Sequence, residues 1–219
     1  MIRVYHKGVP KIVDHAWRRA EIADALVRLA AREGLHAVTM RSVAAEAGIS
    51  LRLVQYYFHS KAQLMSATLD HLERRGHERW AARLAHLPAP PPARAFVEAL
   101  LAEALPTDEA SRAFHLVWTS YAVLAMTDPE LAEQPFVEGP NRLERQLTEV
   151  LDQARTDGEL AAGLDPAAEA ARLLALHHGL GTGVLVGQRT AESAAGVLRY
   201  HLDRLFATPG DECVIHTPG

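Results

Sequence analysis

Residues 39–61 read TMRSVAAEAGISLRLVQYYFHSK, and this stretch decides the fold. Thr39 is placed to cap a helix whose apolar positions Val43, Ala44 and Ala47 share one face, and Gly48 supplies the backbone freedom that a tight stop needs. Ser50 is the cap of a second short helix. Ala44 and Ala47 are small enough for the two helices to cross closely, with Ile49, Val54 and Phe58 filling the wedge between them. The outward residues are then Ser50, Leu51, Arg52, Leu53, Gln55 and Tyr56, a mixture of hydroxyl, amide, guanidinium and phenol groups suited to base edges and phosphates. Ser60-Lys61-Ala62-Gln63 has the form of a capping box, so a third helix starts at Lys61 with free amides and an ammonium where a phosphate fits. An Ala-rich hairpin of no function has no need for caps, turn glycine and polar face to agree in this way.

The segment resembles the DNA-binding part of the TetR family of bacterial regulators over roughly residues 15–65. Ala47-Gly48-Ile49-Ser50, Tyr56-Tyr57-Phe58 and Ser60-Lys61 fall in the family's order, and Val54-Gln55-Tyr56-Tyr57-Phe58 is similar to the branch holding the choline-pathway regulator BetI. Arg52 and Gln55 stand where a small residue and an aromatic are common in the family. The resemblance implies an all-α protein with a three-helix helix-turn-helix head, a larger helical body that binds an effector, and a homodimer built through the last two long helices. The head is expected over 1–60, with 1–12 as an arm carrying Arg3, Lys7 and Lys11; the body over 61–208; and a tail over 209–219.

Composition agrees. Ala, Leu, Arg and Glu are abundant, aromatics are 6%, and no strand pattern stands out, which favours helices throughout. The net charge is −4, yet residues 1–80 hold 13 Lys and Arg against 8 Asp and Glu while the rest hold 10 against 19. Positive potential thus gathers at the DNA end, although ordinary surface charge also segregates by chance. The single cysteine, Cys213, excludes an intrachain disulfide framework, no apolar run reaches membrane-span length, and the start MIRVYHKGVP lacks a signal-peptide core, so the cytoplasm is expected.

Around the motif, residues 16–33 carry Trp17, Ala20, Ala23, Leu26, Leu29 and Ala30 as a helical stripe ending at Gly34. The helix from Lys61 is expected to run toward Leu84 before Pro88-Ala89-Pro90-Pro91-Pro92 stops it, and to link head and body. Further helices are expected over 93–105 and 108–126, from Asp128-Pro129 to Thr156 with a bend near Gly139-Pro140, from Asp165-Pro166 to about Gln188, and over 191–206. The last turns inward Ala194, Val197, Leu198, His201, Leu202 and Leu205. Gly179, Gly181, Gly183 and Gly187 disfavour a helix by roughly 1 kcal/mol each. Two explanations stand for them: close crossing at a dimer axis, or a loosened helix beside a cavity.

For the effector, Phe114, Trp118 and Tyr121 lie near one helix face, with Phe96 on a neighbour, Met126 at the end, and His115, His177 and His178 as polar anchors, a set suited to an apolar or cationic molecule. The same stripe also describes ordinary core. Neither metal nor cofactor is expected, since no Cys, His or carboxylate set has ligand spacing and adjacent His177 and His178 diverge by about 100° on a helix. An enzyme is not expected: there is no glycine-rich phosphate loop and no nucleophile elbow. The function expected is a ligand-responsive regulator, a repressor released from a palindromic double-stranded operator. Arg52 and Gln55 would read guanine and adenine; Thr39, Ser50, Tyr56, Tyr57 and Lys61 would hold phosphates, beside Leu51 and Leu53. The alternative is a dimeric, ligand-independent DNA-binding or architectural protein.

Overall fold

A computed structural model describes residues 15–206, and these are helical, with no strand among them. The head holds α1 (His15–Glu33), a single 3-10 turn (Leu35–Ala37), α2 (Met40–Glu46) and α3 (Leu51–Tyr57). The body holds α4 (Lys61–Leu84), α5 (Ala93–Ala104), α6 (Glu109–Ala125), α7 (Pro129–Ala132), α8 (Glu138–Thr156), α9 (Pro166–Leu185) and α10 (Ala191–Leu205). Arg3, Lys7, Lys11, Cys213 and the tail after Thr208 lie outside the described residues.

Local chemistry sets the helix ends. Thr39 Oγ1 accepts from the Ser42 amide at 3.0 Å while Ser42 Oγ accepts from the Thr39 amide at 2.9 Å, a reciprocal cap that starts α2. Gly48 follows α2 at φ +65°, a left-handed conformation that glycine adopts without strain. Ser50 Oγ caps α3 through the Leu53 amide, and Ser60 Oγ caps α4 through the Gln63 amide. The second half of the expected box at α4 is displaced by one residue: Gln63 Oε1 accepts from the His59 amide, not from that of Ser60. Asp108, Asp128, Asp165 and Thr190 cap α6, α7, α9 and α10.

Packing falls into two apolar clusters. The first joins Ile22, Leu26 and Leu29 of α1 to Val43, Val54 and Phe58, then continues through Leu64, Met65, Leu69 and Leu72 of α4 to Val117 and Tyr121 of α6. The head therefore shares its core with three body helices, α7 joining through Leu131. The second cluster joins α5, α8, α9 and α10 around Leu101, Leu147, Leu151, Leu173, Leu198 and Leu202. Polar ties reinforce the head-to-body joint: Asp24 of α1 lies 3.0 Å from His71 Nε2 and accepts from Arg75 at 3.2 Å, both on α4.

Three local expectations change. Trp17, expected in the inner stripe, is 55% exposed with the Arg18 guanidinium over its ring, because burial of α1 begins only at Ile22. The helix expected from Asp128 to Thr156 is two helices: α7 ends at Ala132, and Gly139-Pro140 occupy the first turn of α8 instead of a bend. Proline is tolerated there because a first-turn amide has no partner inside the helix. α9 runs unbroken through Gly179, Gly181 and Gly183 and ends at Leu185, short of Gln188. Val197 and His201 of α10 are half-buried, whereas Ala194, Leu198, Leu202 and Leu205 are buried.

Candidate nucleic-acid interface and effector cavity

α3 presents Arg52, Gln55 and Tyr56 to solvent, Tyr56 being 66% exposed. Its spacing explains this: Val54 and Phe58 face inward on the same side, so the positions between them face out. Leu51, Leu53 and Tyr57 are half-buried at the edge of that face. Tyr57 is held by α1, its hydroxyl 3.1 Å from His15 Nδ1 and its carbonyl accepting from Arg19 at 2.7 Å. Ser50 and Thr39 stand at the N-termini of α3 and α2, and Lys61 is the first residue of α4 after the Ser60 cap. Arg41, exposed in the first turn of α2, is a further cation that the sequence reading passed over. Its signal was its place two residues after the cap at Thr39, on the same helix end. Arg28 and Arg32, by contrast, are taken up by Glu46, whose carboxyl is held below its ordinary range by hydrogen bonds from both.

A cavity of about 130 Å³ lies in the body, walled by α4, α5, α6, the start of α8 with the segment leading into it, and α9. Phe114, Trp118 and His177 line it, as do Asp70, Glu73, Gly76, His77 and Trp80 of α4, Phe136, Arg142 and His178. Phe96, His115, Tyr121 and Met126 stand outside the lining, Met126 being exposed at the end of α6. The Phe96 ring meets Trp80 edge-on at 5.0 Å. His115 is buried 4.8 Å from the His177 ring. Tyr121 is fully buried and donates to the Leu131 carbonyl; burial, aided by Asp128 and Asp70, pushes its hydroxyl up to about 12. The α4 contribution went unnamed in the sequence reading, although Asp70, Glu73, His77 and Trp80 recur at helical spacing on one face.

The wall is divided chemically. Phe114, Trp118 and Phe136 offer ring faces, and Trp118 stacks on His178 with centroids 4.3 Å apart. Burial drives both His177 and His178 below their ordinary values, so these imidazoles are neutral near pH 7. His177 Nδ1 and Trp118 Nε1 are buried without a hydrogen-bond partner among the described residues. The opposing α4 face carries carboxylates. Arg79 and Arg83 of α4 neutralise Glu103 of α5, at 2.5 Å and 2.9 Å, and Arg142 of α8 meets Glu73 of α4 at 2.6 Å. Asp70 is exposed and forms no ion pair among the described residues; partial burial of its carboxyl, with Glu73 beside it, raises its proton affinity. Among the described residues no three His, Cys, Asp or Glu groups come together as a metal site, and no helix is long and apolar enough to cross a membrane.

A helix-turn-helix head whose core is continuous with a helical body holding an aromatic-lined cavity defines the class of helix-turn-helix regulators. The family model for TetR-family bacterial regulatory proteins matches residues 22–68, and that for the C-terminal part of BetI-type transcriptional repressors matches 92–207. The chain belongs to the TetR family, with a BetI-type C-terminal domain. It is 33% identical over 124 residues to the HTH-type transcriptional regulator BetI of Burkholderia thailandensis, covering 56% of this chain and 62% of that protein. The chain thus spans somewhat under two thirds of the BetI relatives it matches. Among solved structures, a TetR-family regulator from Rhodococcus sp. superposes with a TM-score of 0.76 at 23% identity, over 88% of this chain and 100% of that one. A transcriptional regulator from Saccharomonospora viridis in complex with choline superposes with a TM-score of 0.71 at 26% identity, over 86% and 94%.

Proposed function

We propose that this chain is a sequence-specific DNA-binding repressor that leaves a near-palindromic operator when a small organic cation fills the cavity. The observation that carries the effector class is Asp70, a carboxylate with no ion-pair partner among the described residues, set in the same cavity as Phe114, Trp118 and Phe136. Carboxylates and ring faces both attract a cation, the rings by about 0.5–2 kcal/mol each. The neutral imidazoles add no competing positive charge. The choline held by the Saccharomonospora viridis regulator supports the same class. Phe114, Trp118 and His177 would touch the effector, with Phe96, His115 and Tyr121 supporting the wall from behind.

On the DNA side, Arg52 and Gln55 would read guanine and adenine, with Leu51 and Leu53 offering apolar contact beside them. Thr39, Ser50, Tyr56, Tyr57 and Lys61 would hold phosphates. Two copies would pair through α9 and α10 and set their α3 helices about 34 Å apart, one major-groove repeat. The small exposed residues Ala171, Ala175, Gly179 and Thr182, followed by Val186 at 72% exposure, support that face of α9 as the contact.

The test is selection of binding sites from a random DNA pool, then titration of choline against the bound fragment. An inverted repeat released by choline is expected. Retention of every sequence alike would sink the operator reading, and an inverted repeat indifferent to choline and to tetramethylammonium would sink the effector class and favour a ligand-independent DNA-binding protein.

A further inference from the structure

Glu73 of α4 is seated on the first turn of α8. Its carboxylate accepts from Arg142 at 2.6 Å, and it occupies the space beside Gly139 so closely that a Cβ there would lie 2.9 Å from both oxygens. Gly139 therefore has a packing cause: any side chain would push the carboxylate away. Glu73 also lines the cavity, one turn along α4 from Asp70. α4 in turn is fastened to α1 through His71, Arg75 and Asp24. One side chain thus belongs to three things at once: the cavity wall, the α4–α8 contact, and the helix that carries the head.

We infer that the Glu73–Arg142 contact is the latch through which the cavity controls DNA binding: a cation entering beside Asp70 competes with Arg142 for Glu73, frees α4 from α8, and lets α4 carry the head out of register with the operator. The inference rests on the organic-cation reading above. A cation beside Glu73 shares the carboxylate with Arg142 and repels its guanidinium, so the ion pair is weaker in the cation-bound state, which is the one with the latch open. Because that state leaves the operator in the proposed function, the closed latch belongs to the operator-binding state. Linkage then makes the effect reciprocal: weakening the latch shifts the population toward release and raises cation affinity by a related factor. An ion pair this exposed has modest strength, which suits a contact that a ligand must displace.

The experiment measures operator and choline affinities of the full chain as wild type, Arg142→Gln, Gly139→Ala and Arg145→Gln, after thermal melts show that each is folded. Arg145 is exposed on the same helix and forms no ion pair among the described residues, so it controls for loss of charge. Arg142→Gln and Gly139→Ala are each expected to weaken cation-free operator binding five- to tenfold. Arg142→Gln should also tighten choline binding several-fold, and Arg145→Gln should stay within twofold on both. Wild-type operator affinity in Arg142→Gln and Gly139→Ala, with choline still releasing the wild type, overturns the latch and leaves the proposed function standing. A wild type whose melt and DNA binding ignore choline overturns the effector reading, and the cation's part in the latch with it, even if both variants lose operator affinity.

Discussion

Gly181 of α9 lies against the His115 ring of α6 so closely that a Cβ built on it would stand 2.7 Å from Nδ1. The glycine is where α6 and α9 approach, and His115 is trapped there with its ring 4.8 Å from His177 on the cavity wall. The neighbouring glycines have other causes. A Cβ on Gly183 would stand 3.1 Å from the side chains of Arg189 and Gln188, and Gly187 at φ +74° ends the helix. A Cβ on Gly179 would meet nothing within 4 Å.

Gly181→Ala should therefore destabilise the fold. Overpacking a core position costs about 1–3 kcal/mol, against the roughly 1 kcal/mol that alanine gains over glycine in a helix. Chemical denaturation is expected to show a net loss, and the double variant with His115→Ala should lose less than the two single losses together. Strict additivity would place the strain somewhere other than against His115.

Gly179→Ala should behave in the opposite way within one protomer, gaining up to about 1 kcal/mol. At a dimer axis the added methyl would instead separate the two copies of α9. Sedimentation at falling concentration is expected to show a weaker dimer for Gly179→Ala than for wild type. An unchanged dimer would remove Gly179 from the interface.

Acid should loosen the cavity wall. Burial holds His177 well below the 6.5 of a free imidazole, so below that pH the unfolded chain takes up a proton that the folded chain refuses. Stability is then fully present above pH 6.5 and falls as pH drops through it, by about 1 kcal/mol between pH 6.5 and 5.5 for this one group. His178, also depressed by burial, acts in the same direction. Thermal melts across this window should show a shallower slope for His177→Gln than for wild type; equal slopes would assign the acid sensitivity to other groups.

On DNA, Lys61→Ala should weaken binding to all sequences alike and reduce the salt slope by about one. Arg52→Ala should lose about 1–3 kcal/mol of discrimination at one base position. Competition assays against single-base operator variants separate the two, and identical profiles for both variants would end the division between phosphate and base contacts.

The head was legible because its information is local. A cap satisfies its own helix's first amides, Gly48 turns its own backbone, and a period of 3.6 residues decides which side of α3 faces out, so residues 39–61 carried both the fold and the exposed set of Arg52, Gln55 and Tyr56. Helix ends at Asp108, Asp165 and Gly34 followed for the same reason. The split between α7 and α8 was not legible, since a proline near a helix start and a proline in a bend look alike until the neighbouring helix is in place.

What the sequence by itself determined is the all-helical class, the helix-turn-helix and the family, each of which depends on residues within a few turns of one another. Only the tertiary structure decided which aromatics line a cavity and which are core. Phe114, Trp118 and Tyr121 share a helix face in sequence, yet Tyr121 is sealed against Leu131 while the other two meet Asp70 and Glu73 of α4 across open space. That outcome depends on how α4, α6, α8 and α9 pack, through Gly139 beneath Glu73 and Gly181 beneath His115. Periodicity fixes the direction of a side chain from its own helix axis; where that direction leads depends on helices far away in the chain.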